Sequence, residues 1–549
     1  MQLVSPRSWY PIVATAFVFA SGLQSQLATE DGYAIPVFEN ISVHDPSIIK
    51  VEDTYYIFGS HLSAAKTTYW MVWERVADLV NAENPLFDDV TESLSEAFVW
   101  AQTDTLWAAD VRQLADDRYY FYYNACKGDS PRSAMGLAVA DSIEGPYQDV
   151  GIFLRSGMWG MVSEDGETIY DASIHPNVVD PHVFYDKDHK LWMVYGSYSG
   201  GIFILEMDDT TGLPIEGQGY GKHLIGGNHQ RIEGPYILYS PHTRYYYLFV
   251  SFGGLAFDGG YNIRVARSEN PDGPYYDCEG NDMSEVRSDI TFDDATVFQY
   301  GVKLMGNHYV LGTPFPYMGY VSPGHNSAYY DDETGQYFLI FHTRFLVSGD
   351  YHEVRVHEMT FNQEGWPVVS PFRYAPRVEP VDEITNQDTV GPPGPDPEVD
   401  PDEEAIDPIP DPDDPETPED PDSGDPEPEE IPPTPLYQDD IVVEEIPGTF
   451  QVLIQPKEVV RLIVYSKEAY LNPDGMVSGG YEGSWEFSDE TNGIVVDLGE
   501  DDLYSGVVSR QWNEQLQAFT VVFSALNETG TPLWGMRWSD LPAPVPATQ

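Results

Sequence analysis

From about residue 35 the chain is built of short apolar runs, many led by aromatics, with polar turns between them. In "DPHVFYDKDHKLWMVYGS" from Asp180 a polar pair opens a short run, a charged turn follows, and an aromatic-rich run ends in small residues. This alternation predicts a β-hairpin. It recurs in "HDPSIIKVEDTYYIFGS" from His44, "ADVRQLADDRYYFYYNA" from Ala109, "IEGPYILYSPHTRYYYLFVS" from Ile232 and "GHNSAYYDDETGQYFLIFHT" from Gly324. The polar heads are Asp45, Asp110, Asp180, Glu233 and His325, 53 to 92 residues apart. That spacing leaves room for one four-stranded sheet per repeat. Self-similarity built only of strands predicts an all-β fold, a five-bladed β-propeller over residues 35–385.

The pattern stops at about residue 387. Residues 391–430 hold 13 prolines and 18 acidic side chains with no basic one. Such composition cannot pack a core and favours an extended chain, so residues 387–435 are expected to be a linker. Strand-like runs resume over 436–549 ("QVLIQP", "GIVVDL", "FTVVFSAL"), predicting a small C-terminal β-barrel-like domain. At the other end, residues 1–26 combine one Arg with an apolar stretch closed by small and polar residues. They read as a secretory signal peptide, with a retained anchor as the rival reading. The expected protein is secreted, extracellular, monomeric and free of membrane contact.

A length of 549 residues calls for more than one core, and 13% aromatic content can fill them. The net charge of −63 repels nucleic acid and excludes it as a partner. Cys126 and Cys278 could pair or remain buried thiols; the sequence decides neither.

Candidate chemistry follows from rotation. If one head residue points to the propeller axis, its equivalents do so in every blade, and residues far apart in sequence share one funnel. A single Asp-Pro pair usually caps a strand end. Five aligned polar heads, four of them carboxylic acids, instead crowd like charges together, which is the environment of catalytic acids or of a bound cation. Glycosidic cleavage needs such a pair, one acid for the leaving oxygen and one base for water, about 6.5–9.5 Å apart in an inverting enzyme.

The motifs "HDPS" at His44, "VVDPHVF" at Val178, "RIEGPYI" at Arg231 and "GHNSAYYD" at Gly324 resemble glycoside hydrolase family 43. The stretches "LWAADV", "YGSYSGGIFILEMD" and "HEVRVHEM" are similar to its two-domain endo-α-1,5-L-arabinanases, and "LNPDGMVSGGYEGSW" to the small barrel these carry. The resemblance implies an inverting hydrolase of arabinan, a pectin side chain. It implies Asp45 as general base, Glu233 as general acid, Asp180 as the third carboxylate that tunes and orients the acid, and His325 as ligand of a hydrated calcium ion. Trp107, Phe252, Phe315 and Arg344 are candidate substrate contacts, with core packing or an inter-blade ion pair as the alternative. An exo-acting arabinofuranosidase or β-xylosidase on the same fold, or a non-catalytic glycan-binding propeller, would share most of these features.

Overall fold

A computed structural model of the chain describes residues 32–311, 319–378, 436–499 and 502–539. The predicted signal peptide, the predicted linker and Phe315 lie outside the described residues.

Each predicted hairpin is the inner half of one sheet. Four sheets pair their strands in sequence order, beginning with Ser47–Val51, Asp110–Gln113, His182–Tyr185 and Ile232–Ser240. The fifth begins its blade with Gly319–Asp331. These five inner strands contact one another in a closed ring, Gly319–Asp331 meeting both Ile232–Ser240 and Ser47–Val51. The chain therefore forms a five-bladed propeller.

Apolar side chains alternating along the strands pack blade against blade. Between the first two blades the core includes Phe58, Phe121, Tyr123 and Tyr147; between the third and fourth it includes Val194, Ile204, Leu248 and Phe252. Because these layers carry the burial, the axis itself is left for polar groups.

The C-terminal strands close an eight-stranded barrel, sealed where Gly448–Ile454 pairs with Pro532–Ser539. Its interior is filled by Phe450, Val452, Leu471, Trp485, Val496, Val521 and Phe523. The outward residues Leu453, Val522, Leu526, Trp534 and Met536 join the core of the fifth blade. Both faces of the run "FTVVFSAL" are thus buried, which explains its unbroken apolarity. Between two barrel strands the chain also reaches across to the propeller, where Val464–Tyr465 pairs in parallel with His308–Tyr309. The barrel is docked on the propeller within one compact unit.

Both cysteines are unpaired. Burial pushes the Cys278 thiol up to about 12.

Candidate active site

Asp45 and Asp180 stand just before an inner strand and His325 at an irregularity within one, all three with a left-handed backbone, at φ 57°, 57° and 46°. Non-glycine residues adopt this conformation sparingly, and its repetition at equivalent heads is local strain concentrated at one place. At the fourth head the positive φ passes to the next residue, Gly234, at 59°. A Cβ on Gly234 would come within 2.9 Å of the His325 ring. The glycine of "EGP" is there to admit that imidazole.

The three carboxylic acids meet around His325. Its Nδ1 lies 3.0 Å from Asp45 Oδ1, while Asp180 Oδ2 accepts from the backbone N–H of Gly234 at 3.3 Å. Asp45, Asp180 and Glu233 are 8%, 4% and 6% exposed, so their charges are poorly solvated.

The environments separate the acids. Burial would raise Asp45, yet His325 and His44 together hold it well below the usual carboxylate range. His44 Nδ1 and Ser60 Oγ both donate to Asp45 Oδ2, at 2.7 and 2.5 Å. The Asp45 N–H donates to His342 Nδ1 at 3.1 Å, which seals the joint between fifth and first blades. Burial raises Glu233, only partly countered by His325 and by Ser197 Oγ, which donates to its Oε2 at 2.7 Å. Burial also pushes Asp180 up to about 8, with Glu233 and Asp45 adding to the rise. For His325 burial works against the charge, but Asp45 and Asp180 lift it to about 9. The surroundings thus push one acid toward its ionised form, two toward their protonated forms, and the imidazole toward its charged form. A base and an acid are set side by side by environment alone.

Only with the acids ionised and His325 neutral would the carboxyl oxygens around that imidazole suit a hydrated divalent ion. His44, Asp45 and His342 also place ligand atoms within 4.8 Å of one another. In that trio both Nδ1 atoms are already committed to Asp45. It is a hydrogen-bonded support for the acid rather than an open coordination set.

The remaining head, Asp110 of the second blade, stands apart from this cluster. It accepts from Ser47 Oγ and, at 2.6 Å, from the N–H of Val183, tying three inner strands together. Trp107 is half-buried beside Gly128. Two expectations need correction. Phe252 is wholly buried, with the Arg264 guanidinium 4.7 Å from its ring centre, and cannot stack on a sugar. Its neighbour Ser251 is the residue turned to the funnel, accepting from the His325 N–H at 2.7 Å. Arg344 is 3% exposed and sits behind His44, 3.5 Å from its Nε2, with Asp350 as its ion-pair partner at 3.6 Å. It reaches the funnel only through His44.

The funnel also contains residues that the repeat pattern does not single out: His44, Ser60, Ser197, Ser251, Tyr261 and His342. Beside Tyr198 and His229, Phe292 is 47% exposed with the Arg231 guanidinium over its ring, an aromatic platform with no distinguishing signal in the sequence.

Residues 33–301 match the glycosyl hydrolases family 43, and residues 430–535 match the C-terminal lipocalin-like domain of such enzymes. The chain is 49% identical over 504 residues to an extracellular endo-α-(1→5)-L-arabinanase of Bacillus subtilis, covering 91% of this chain and 94% of the relative. It is 43% identical over 511 residues to an extracellular endo-α-(1→5)-L-arabinanase of Thermotoga petrophila, covering 91% of this chain and 95% of the relative. Among solved structures, a family 43 glycoside hydrolase from Bacillus licheniformis superposes with a TM-score of 0.78 at 49% identity, covering 91% of this chain and 99% of that one. The protein is a glycoside hydrolase, and it belongs to glycosyl hydrolase family 43.

Proposed function

We propose that the protein is a secreted, endo-acting, inverting hydrolase of α-1,5-linked arabinan. The observation that carries this reading is the opposed state of two buried acids in one funnel, Asp45 held ionised and Glu233 held toward its protonated form. The names of the two relatives support internal cleavage of arabinan and an extracellular site of action, and their likeness extends through the barrel.

In the reaction Glu233 gives its proton to the leaving glycosidic oxygen as the bond to the anomeric carbon breaks. A water on the opposite face attacks that carbon and passes its proton to Asp45. Asp180 and Glu233, both buried and mutually repelling, act as one titrating pair. His44, Ser60 and His325 fix Asp45 against the pull of its own charge. A calcium ion, when bound, would offset negative charge in the funnel in place of the His325 proton; His325 would hold it as a neutral imidazole, with water completing its coordination.

Digestion of debranched arabinan, with mass analysis of the products, tests the reading. A ladder of arabino-oligosaccharides is expected, and arabinose as the sole early product would replace endo with exo action. Exhaustive chelation followed by calcium readdition should lower and then restore the rate; an unchanged rate and melting temperature would remove the ion from the proposal.

A further inference from the structure

Tyr261 ends the glycine-rich loop 253–260 and is 1% exposed. Its ring fills a slot that exists only because residue 324 is glycine: a Cβ there would lie 2.1 Å from the ring. The ring stacks with that of His342, 6.1 Å away between centres, behind Asp45. Glu233 acts on the Tyr261 hydroxyl more strongly than any other charged group, followed by Asp45. It is also close enough to Glu233 to favour the charged form of that acid. Yet neither Tyr261 Oη nor Glu233 Oε1 completes a hydrogen bond, and both atoms are buried. Two buried polar atoms left unpaired are costly, and a phenylalanine would pack the slot without the phenol's share of that cost. A hydroxyl retained here calls for a use.

We propose that Tyr261 is a positioning residue for Glu233, whose hydroxyl donates to Glu233 Oε1 as that carboxyl loses its proton to the leaving oxygen. The inference rests on the general-acid role given to Glu233. Ser197 already donates to Oε2, and Oε1 is the carboxyl oxygen left without a partner. In the step, the Glu233 O–H bond breaks and its electron pair stays on the carboxyl. The proton joins the departing sugar oxygen, and the carbon–oxygen bond yields its pair to that oxygen. Negative charge therefore appears on Glu233 at the moment the phenol can tighten onto it, so the bond is worth more in the transition state than at rest. The phenol keeps its own proton throughout, as its burial favours the neutral form.

The test is a comparison of leaving groups. Tyr261→Phe removes one oxygen and keeps the ring. On linear arabinan, where the departing sugar must be protonated, kcat should fall about 10- to 100-fold with KM changed by less than about threefold. On a 2,4-dinitrophenyl arabinotrioside, whose leaving group departs without a proton, the loss should be under about threefold. Equal losses on both substrates, or no loss on arabinan, overturn the proposal. In a Glu233→Gln background, adding Tyr261→Phe should cost nothing more on the dinitrophenyl substrate, and an additional loss there also overturns it. Unimpaired arabinan hydrolysis by Glu233→Gln alone would instead sink the general-acid reading.

Discussion

Along the propeller axis the inward groups are Asp45, Asp180, Glu233 and His325; along the barrel axis they are Phe450, Trp485, Val521 and Phe523. Both assemblies close on themselves, the barrel by pairing its strands all the way round and the propeller by packing five open sheets in a ring, so only the barrel is left without sheet edges. They differ in where the apolar surface goes. A barrel has one interior, and an interior of this size must be filled by side chains to be stable. A propeller buries its apolar surface between blades, so its axis is not needed for stability and can hold groups that repel one another. Charge at the centre of a stable fold is possible here because the centre is not the core.

Breaking one member of each set should separate activity from stability. Glu233→Gln keeps volume and the Ser197 contact, so the melting temperature should stay within a few degrees, while arabinan hydrolysis falls by about 10²–10⁴-fold. Phe523→Ala in the barrel should do the reverse. Loss of a ring 1% exposed costs about 3–5 kcal/mol of stability, with turnover at 25 °C retained by the folded fraction. Melting curves and initial rates on the two variants decide it. A barrel variant that melts normally but turns over poorly would mean that the barrel interior serves the site.

The same contrast separates what is legible in the amino-acid sequence from what is not. The hairpin repeat carries the blade number and four of the polar groups in the funnel, because equivalent positions of a rotational repeat must point the same way. Residues at the ends of the second strands bear a fainter form of the same signal. Ser60, Ser197, Ser251 and His342 close the runs "YIFGS", "MVYGS", "LFVS" and "LIFH", and each touches a head residue. The two-residue period of a strand also accounts for Phe252: with Ser251 facing the funnel, its neighbour must face the blade core. Other features depend on pairings that no local pattern encodes. The docking of the barrel rests on contacts such as Ser524 Oγ to Val369 O at 2.8 Å, between residues 155 apart in the chain. The hydrogen-bonded support of Asp45 by His342 spans 297 residues and exists only once the ring closes.

A smaller perturbation compares the two assemblies through equal steric insults. An alanine at Gly324 would put a Cβ 2.1 Å from the Tyr261 ring, and one at Gly535 a Cβ 2.0 Å from the Phe523 ring. Overpacking of this kind costs about 1–3 kcal/mol. Both variants should lose a similar few degrees of melting temperature. Only Gly324→Ala should also lose activity, by more than about tenfold, because the displaced ring carries its hydroxyl away from Glu233. Equal activities in the two variants would show that the funnel tolerates movement of Tyr261.

The smallest effect concerns the stability penalty of a charged axis. Asp180 is pushed up to about 8 in the folded protein from an ordinary 3.8, chiefly by burial. A raised acid binds its proton more tightly folded than unfolded, so stability is lost as pH rises from the unfolded value through the folded one. Below about pH 4 both states are protonated and nothing is lost. Asp180→Asn cannot ionise and keeps an oxygen for the Gly234 N–H, so it should escape the penalty. In chelator-treated protein, wild type and variant should melt together near pH 4, while by pH 9 the variant should melt about 2–4 °C higher despite reduced activity. Calcium should narrow that gap if a cation offsets the same charge. A variant less stable than wild type at pH 9 would mean that the positive charge of His325 outweighs the burial of the Asp180 carboxylate, and that the axis bears its charges at no cost to the fold.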